Sequence, residues 1–168
     1  MARALIVGCG CRGRQLGARL LGEGWAVRGT SRREEGLAAI DAAGIEPALA
    51  DPAAPGSVLD LIGDVTVVAW LLGSARGTPT ELAALHGSVL ERVLEGIVET
   101  PVRGFLYEGK GEVDPDVLER GGSIVRAAGV RWHIPVAVAK SDPGDPSAWA
   151  EEMLSAALGA SLGDRRIV

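Results

Sequence analysis

The sequence predicts an α/β chain, a doubly wound and mainly parallel sheet of about six strands in a three-layer sandwich. Three observations carry this. Short apolar runs alternate with helical stretches along the chain, several of those runs are continuously apolar, and a glycine-rich turn joins the first run to the first helix. Alternation of this kind implies βαβ units. A strand covered on both faces needs no polar side, so it reads as an unbroken apolar run. At 168 residues, 47% hydrophobic and 23% charged, residues 1–168 read as a single domain with its own core.

The expected strands are Ala4–Gly8, Ala26–Thr30, Ile45–Leu49, Val65–Leu71, Arg103–Tyr107 and His133–Ala139. The expected helices between and after them are Arg14–Glu23, Arg33–Ala43, Ala53–Ile62, Thr80–Thr100, Asp116–Ala128 and Ser147–Leu158. Four helix starts are marked by a capping oxygen before proline: Asp51-Pro52, Thr78-Pro79, Asp114-Pro115 and Asp145-Pro146. Thr78-x-x-Glu81 completes a capping box. Along Thr80–Thr100 the residues Leu82, Leu85, Val89, Leu90, Val93, Leu94, Ile97 and Val98 recur at spacings of three and four. That stripe serves core packing, and its breadth also suggests a homodimer paired through this helix.

Gly8, Gly10 and Gly13 spell G-x-G-x-x-G between the first strand and the first helix. Alone this motif is weak. In strand–turn–helix context it is the signature of a dinucleotide-binding loop. The first glycine permits the tight turn, the second lets backbone approach a pyrophosphate, and the third lets helix pack on strand. Unpaired N–H groups and the dipole of the helix then face the phosphates. Cys9 and Cys11, with Arg12 beside them, fit this loop as small or polar neighbours. A zinc site would need His86 or His133 from far along the chain, so no metal is expected.

A second stretch chooses between cofactors. NAD-binding folds place Asp or Glu about 20 residues beyond the loop, on the ribose hydroxyls. Here the chain reads Thr30, Ser31, Arg32, Arg33, without an acid. Hydroxyls and guanidinium groups suit a 2′-phosphate, which favours NADP(H) over NAD(H). The alternative is a polar helix start with Ser31 as cap.

The run "LIVGCGCRGRQLGARLLGEGWAVRGTSRR" resembles the N-terminus of atypical and extended short-chain dehydrogenase/reductases, close to nucleoside-diphosphate-sugar epimerase-like proteins. The likeness is specific through Arg33 and looser through "VTVVAWLLG" and "PVRGFLYEGKGEV". It implies a Rossmann fold with the cofactor across the carboxyl ends of the strands. It also implies cofactor contacts from Leu71, Leu72 and Gly73 after the fourth strand. Catalytic members of that family carry Tyr-x-x-x-Lys, in which the lysine helps the tyrosine act as acid or base. This chain has one tyrosine, Tyr107, and two lysines, Lys110 and Lys140, none at that spacing. Tyr107, Glu108 and Lys110 form a compact titratable cluster, and Tyr107 and Lys110 are the weak catalytic candidates it offers. The chain also ends soon after its sixth strand, where extended members continue to hold a sugar substrate.

Seven arginines against one acid, Glu23, make residues 1–33 basic, although the whole chain carries a net charge of −5. An acidic whole argues against nucleic acid as partner, and a basic opening suggests a local anion site. No apolar run reaches the ~18 residues of a membrane span, and "MARALIVG" lacks the features of a signal peptide. The expectation is a cytoplasmic, NADP(H)-binding protein without the standard catalytic machinery, serving as a sensor or a subunit. An NADP-dependent oxidoreductase or epimerase-like enzyme with a non-standard site is the alternative, and a nucleotide-free partner-binding module a third possibility.

Overall fold

The computed structural model describes residues 1–164. Six strands form one sheet: β1 (Arg3–Val7), β2 (Ala26–Ser31), β3 (Glu46–Leu49), β4 (Val67–Trp70), β5 (Gly104–Glu108) and β6 (Val136–Ala139). Their order is β3-β2-β1-β4-β5-β6, and every neighbouring pair is parallel. The chain begins at the centre, works outward to β3, and returns to place β4 beside β1. Val7 pairs with Trp70 across that return, and Trp70 with Tyr107 beyond it. Connections leaving β1 and β4 diverge to opposite faces, and a crevice opens where they part.

Because side chains alternate along each strand, the sheet feeds two cores. Ala4, Ile6, Val67, Ala69 and Leu106 face α1 (Cys11–Gly22), α2 (Glu34–Ala42) and α7 (Pro146–Ser161), meeting Leu16, Leu20, Ile40 and Trp149. Leu5, Val7, Val68, Trp70, Phe105 and Tyr107 face the other layer. There α3 (Pro55–Leu59), α5 (Ser88–Gly96) and α6 (Pro115–Trp132) supply Val58, Leu90, Val93, Leu94 and Val125. Burying a residue such as Leu16 or Phe105 contributes roughly 1.5–3 kcal/mol each, so the layers are held chiefly by this apolar area.

Three helix starts match the sequence reading. Thr78 and Glu81 form the reciprocal capping box, Asp114 accepts from the Asp116 N–H, and Asp145 accepts from the Ala148 N–H. Other boundaries differ. Asp51 closes a turn by accepting from the Ala53 N–H at 3.0 Å, and the short α3 starts instead at Pro55. Arg33, not Ser31, is the N-cap of α2. His133 ends α6 in the left-handed conformation, φ 56°, and β6 begins three residues later.

The expected helix Thr80–Thr100 is two helices, α4 (Pro79–Leu85) and α5, broken at His86 and Gly87. The break turns the His86 side chain into the core. Leu90, Val93, Leu94 and Ile97 are all buried against the subunit's own sheet layer, and Val98 is left exposed. The buried half of the apolar stripe thus serves core packing, while Leu82, Leu85 and Val89 are only partly buried. No helix among the described residues is long and apolar enough to cross a membrane.

Candidate functional site

A cleft of about 620 Å³ runs along the carboxyl ends of the strands at the β1–β4 crevice. The glycine loop forms its floor. Gly8 has φ +81°, and a Cβ there would stand 2.6 Å from the Leu71 carbonyl oxygen, so only glycine fits without strain. The loop is pinned by Thr30: its hydroxyl accepts from the Gly8 N–H at 3.2 Å, and its carbonyl from the Cys9 N–H at 3.0 Å. Gly13 packs helix on strand, its missing Cβ leaving room for Ile6 and the Gly8 carbonyl. Gly10 is different. A Cβ there would meet nothing within 4 Å, so the absent side chain leaves the cleft itself open.

Gly10 is also the N-cap of α1 and offers no side-chain oxygen to the helix. The first helical bond runs from the Arg14 N–H to the Gly10 carbonyl, so the N–H groups of Cys11, Arg12 and Gly13 have no intrahelical partner. The first turn holds no acid. An arrangement of this kind suits an anion. Cys9 is buried and its thiol is pushed up to about 11 by burial, with Arg14 pulling the other way. Cys11 is exposed.

Beyond the loop, Ser31, Arg32 and Arg33 line the cleft at the end of β2. The Ser31 hydroxyl closes a local turn, donating to the Arg33 carbonyl at 2.8 Å and accepting from its N–H. Arg32 and Arg33 are exposed. Arg14 and Arg76, which the motif reading did not single out, add further positive charge. Two of the facing acids are already engaged: Asp51 in its turn and Glu81 in the capping box.

The titratable cluster read from the sequence is divided by strand alternation. Tyr107 points into the α5–α6 core, fully buried, with its hydroxyl 2.7 Å from His86 Nδ1. Burial, followed by the charge of Glu108, raises the phenol's pKa well above its ordinary value. His86 Nε2 lies 3.1 Å from the Leu72 carbonyl. A carbonyl only accepts, so Nε2 carries the hydrogen and Nδ1 accepts from the phenol. Burial lowers the His86 pKa and keeps the ring neutral. Lys110 is exposed on the following loop. Neither Tyr107 nor Lys110 lines the cleft.

Glu108, one residue on, faces the opposite way and does line the cleft. Its side chain is 1% exposed. Arg12 reaches across from α1, Nε to Oε2 at 3.2 Å and Nη2 to Oε1 at 3.3 Å. The Gly73 N–H donates to Oε1 at 2.9 Å, and Arg12 also bonds the Ser74 hydroxyl at 3.0 Å. Burial raises the Glu108 pKa, against the opposing pull of Arg12 and the Gly73 N–H. Leu71 and Leu72 line the cleft, whereas Gly73 is turned inward to this carboxylate.

No family model matches the sequence, and no curated protein does. Solved structures do resemble it. BdcA from E. coli superposes with a TM-score of 0.73 at 16% identity, covering 96% of this chain and 93% of that one. A short-chain dehydrogenase/reductase superfamily protein from Agrobacterium tumefaciens with bound NAD gives 0.64 at 20% identity. The fold is Rossmann-type. UDP-glucuronic acid 4-epimerase from Bacillus cereus in complex with NAD gives 0.63 at 16% identity. This Rossmann chain is covered to 81% in both of the latter matches but spans only 48% and 54% of those proteins.

Proposed function

We propose that the chain is a nicotinamide-dinucleotide-binding protein that prefers NADP(H) and lacks the standard catalytic pair of short-chain dehydrogenases. The observation that carries this is Gly10. It lines the cleft with open space where a side chain would stand, at the N-cap next to three N–H groups without helical partners, and such a helix start suits a pyrophosphate. Solved structures of like fold hold NAD. The preference for NADP(H) rests on Arg32 and Arg33 at the end of β2, where no acid is present to take ribose hydroxyls. In this reading the loop N–H groups hold the pyrophosphate and the two arginines hold the 2′-phosphate. When bound, the group supplies hydride chemistry. Tyr107, the chain's one tyrosine, has its hydroxyl hydrogen-bonded to His86 inside the core, so the reading assigns the chain a sensor or subunit role.

A second reading, an oxidoreductase or epimerase-like enzyme with a non-standard site, is favoured by one observation: a carboxyl group, Glu108, lines the cleft beyond the phosphate loop. Turnover of carbonyl substrates or nucleotide sugars with NADPH would establish it, and the first reading expects negligible rates. A homodimer paired through α4 and α5 belongs to the same reading as the first, supported by the exposed Val98 and the partly buried Leu82, Leu85 and Val89 of the stripe, and light scattering of the wild type tests it.

The cofactor preference is tested by equilibrium titration of the Arg32→Ala/Arg33→Ala double variant. Losing a charge-assisted phosphate contact costs ~1.5–3 kcal/mol. The ratio of NADPH to NADH affinity should therefore fall roughly tenfold or more. An unchanged ratio would assign these arginines another purpose.

A further inference from the structure

We propose, resting on the dinucleotide reading above, that Glu108 takes up a proton from solvent when a dinucleotide binds, because its counter-ion Arg12 belongs to the phosphate loop. Arg12 is the second residue of α1, between the N–H groups of Cys11 and Gly13, and its guanidinium crosses the cleft floor to the Glu108 carboxylate. One guanidinium thus stands between two anion positions. The first is the built-in carboxylate. The second is the helix N-terminus, which receives phosphates.

Glu108 has little else to hold its charge. From α1 it meets Arg12, from the loop after β4 the Gly73 N–H, and from α7 the neutral Trp149 indole. Its own strand contributes the neutral phenol of Tyr107, whose hydroxyl is committed to His86 on the far side of the sheet. Lys110, on the loop after β5, is exposed. Beyond Ala139, the partner of Glu108 on β6, lie Lys140 and Glu152, whose carboxylate accepts from the Lys140 and Ser141 N–H groups. Arg12 is therefore the one cation that acts on the carboxylate among the described residues. Burial already disfavours the ionised form. Adding negative charge at the loop shares or removes the Arg12 counter-charge, and a buried carboxylate that loses its partner protonates. The balance is simple: one proton passes from solvent to a Glu108 oxygen, and no bond to the dinucleotide forms.

Proton uptake links affinity to pH. Across the range between the free and bound pKa values of Glu108, affinity for the dinucleotide weakens up to about tenfold per pH unit as pH rises. The test is calorimetric titration of NADPH into the full chain at pH 7.5, above the second phosphate ionisation near ~6. It is run in two buffers of different ionisation enthalpy. The proposal expects an apparent heat that depends on the buffer and corresponds to net proton uptake. Glu108→Gln should still bind NADPH but with a buffer-independent heat. Arg12→Met, which removes the counter-ion before the ligand arrives, should likewise lose the ligand-linked uptake and bind more weakly. NADPH binding by the wild type with buffer-independent heat would overturn the proton coupling while leaving the dinucleotide reading intact. Absence of any NADPH binding would overturn that reading itself, and this proposal with it.

Discussion

Gly8 and Gly10 stand two residues apart in one turn and meet opposite demands. At Gly8 the backbone is left-handed and a Cβ would press on the Leu71 carbonyl, so alanine there should cost at least ~1–2 kcal/mol. Gly10 has ordinary backbone angles and open space, so alanine there should leave stability unchanged. Urea midpoints of the two variants check this contrast. His86 gives a second residue-scale expectation. Its folded pKa is lowered, so the neutral ring is favoured on folding and stability is full above the unfolded value near ~6.5. As pH falls below that value toward the folded pKa, stability should decline. A His86→Leu variant should lose that acid-sensitive component. It should also be less stable at pH 7.5 by ~1–3 kcal/mol, because the Tyr107 hydroxyl is left unpaired. Denaturant unfolding at pH 7.5 and 5.5 reads both effects. The loop glycines were legible in the sequence because their spacing is itself the geometry. The Arg12–Glu108 bond was not, since it joins residues 96 apart and only the folded sheet brings them together.

At the scale of elements, the strands were readable because β1, β4 and β5 are buried along nearly their whole length and are mostly apolar, Glu108 at the end of β5 being the buried exception. Helix starts with a capping oxygen before proline were readable where that oxygen reaches a helix N–H. Asp51-Pro52 carries the same signal, yet Asp51 satisfies the Ala53 N–H in a turn and leaves Pro55 to open α3. The break between α4 and α5 was hidden because the apolar spacing continues across it. Its cause is tertiary: His86 turns inward to Tyr107 and Leu72, and Gly87 becomes the N-cap of α5. The α4 capping box is exposed and local, so Thr78→Ala should destabilise by about 1 kcal/mol without altering the cleft floor. A thermal melt measures this, and NADPH titration of the same variant should show unchanged affinity.

For the whole molecule, basic and acidic segments are divided by the topology. Residues 1–33 carry four of the cleft's arginines, Arg12, Arg14, Arg32 and Arg33, on an otherwise acidic chain, and Arg76 joins them from the loop after β4. This draws an anion to one place rather than to the surface at large. The strand order places that unit's loop beside the return to β4, and the crevice follows from this order rather than from any single residue. A ligand held there ties both halves of the sheet to the folded state. At 100 times its Kd it should stabilise by about 2.7 kcal/mol, raising the melting midpoint by roughly 5–10 °C. The most direct measurement is therefore NADPH affinity and thermal shift in the wild type and in Gly10→Val. The account predicts binding and a raised midpoint in the wild type. It predicts that Gly10→Val, folded and with an unchanged ligand-free midpoint, loses both, because its side chain fills the space above the loop N–H groups. Undiminished NADPH affinity in folded Gly10→Val would contradict it.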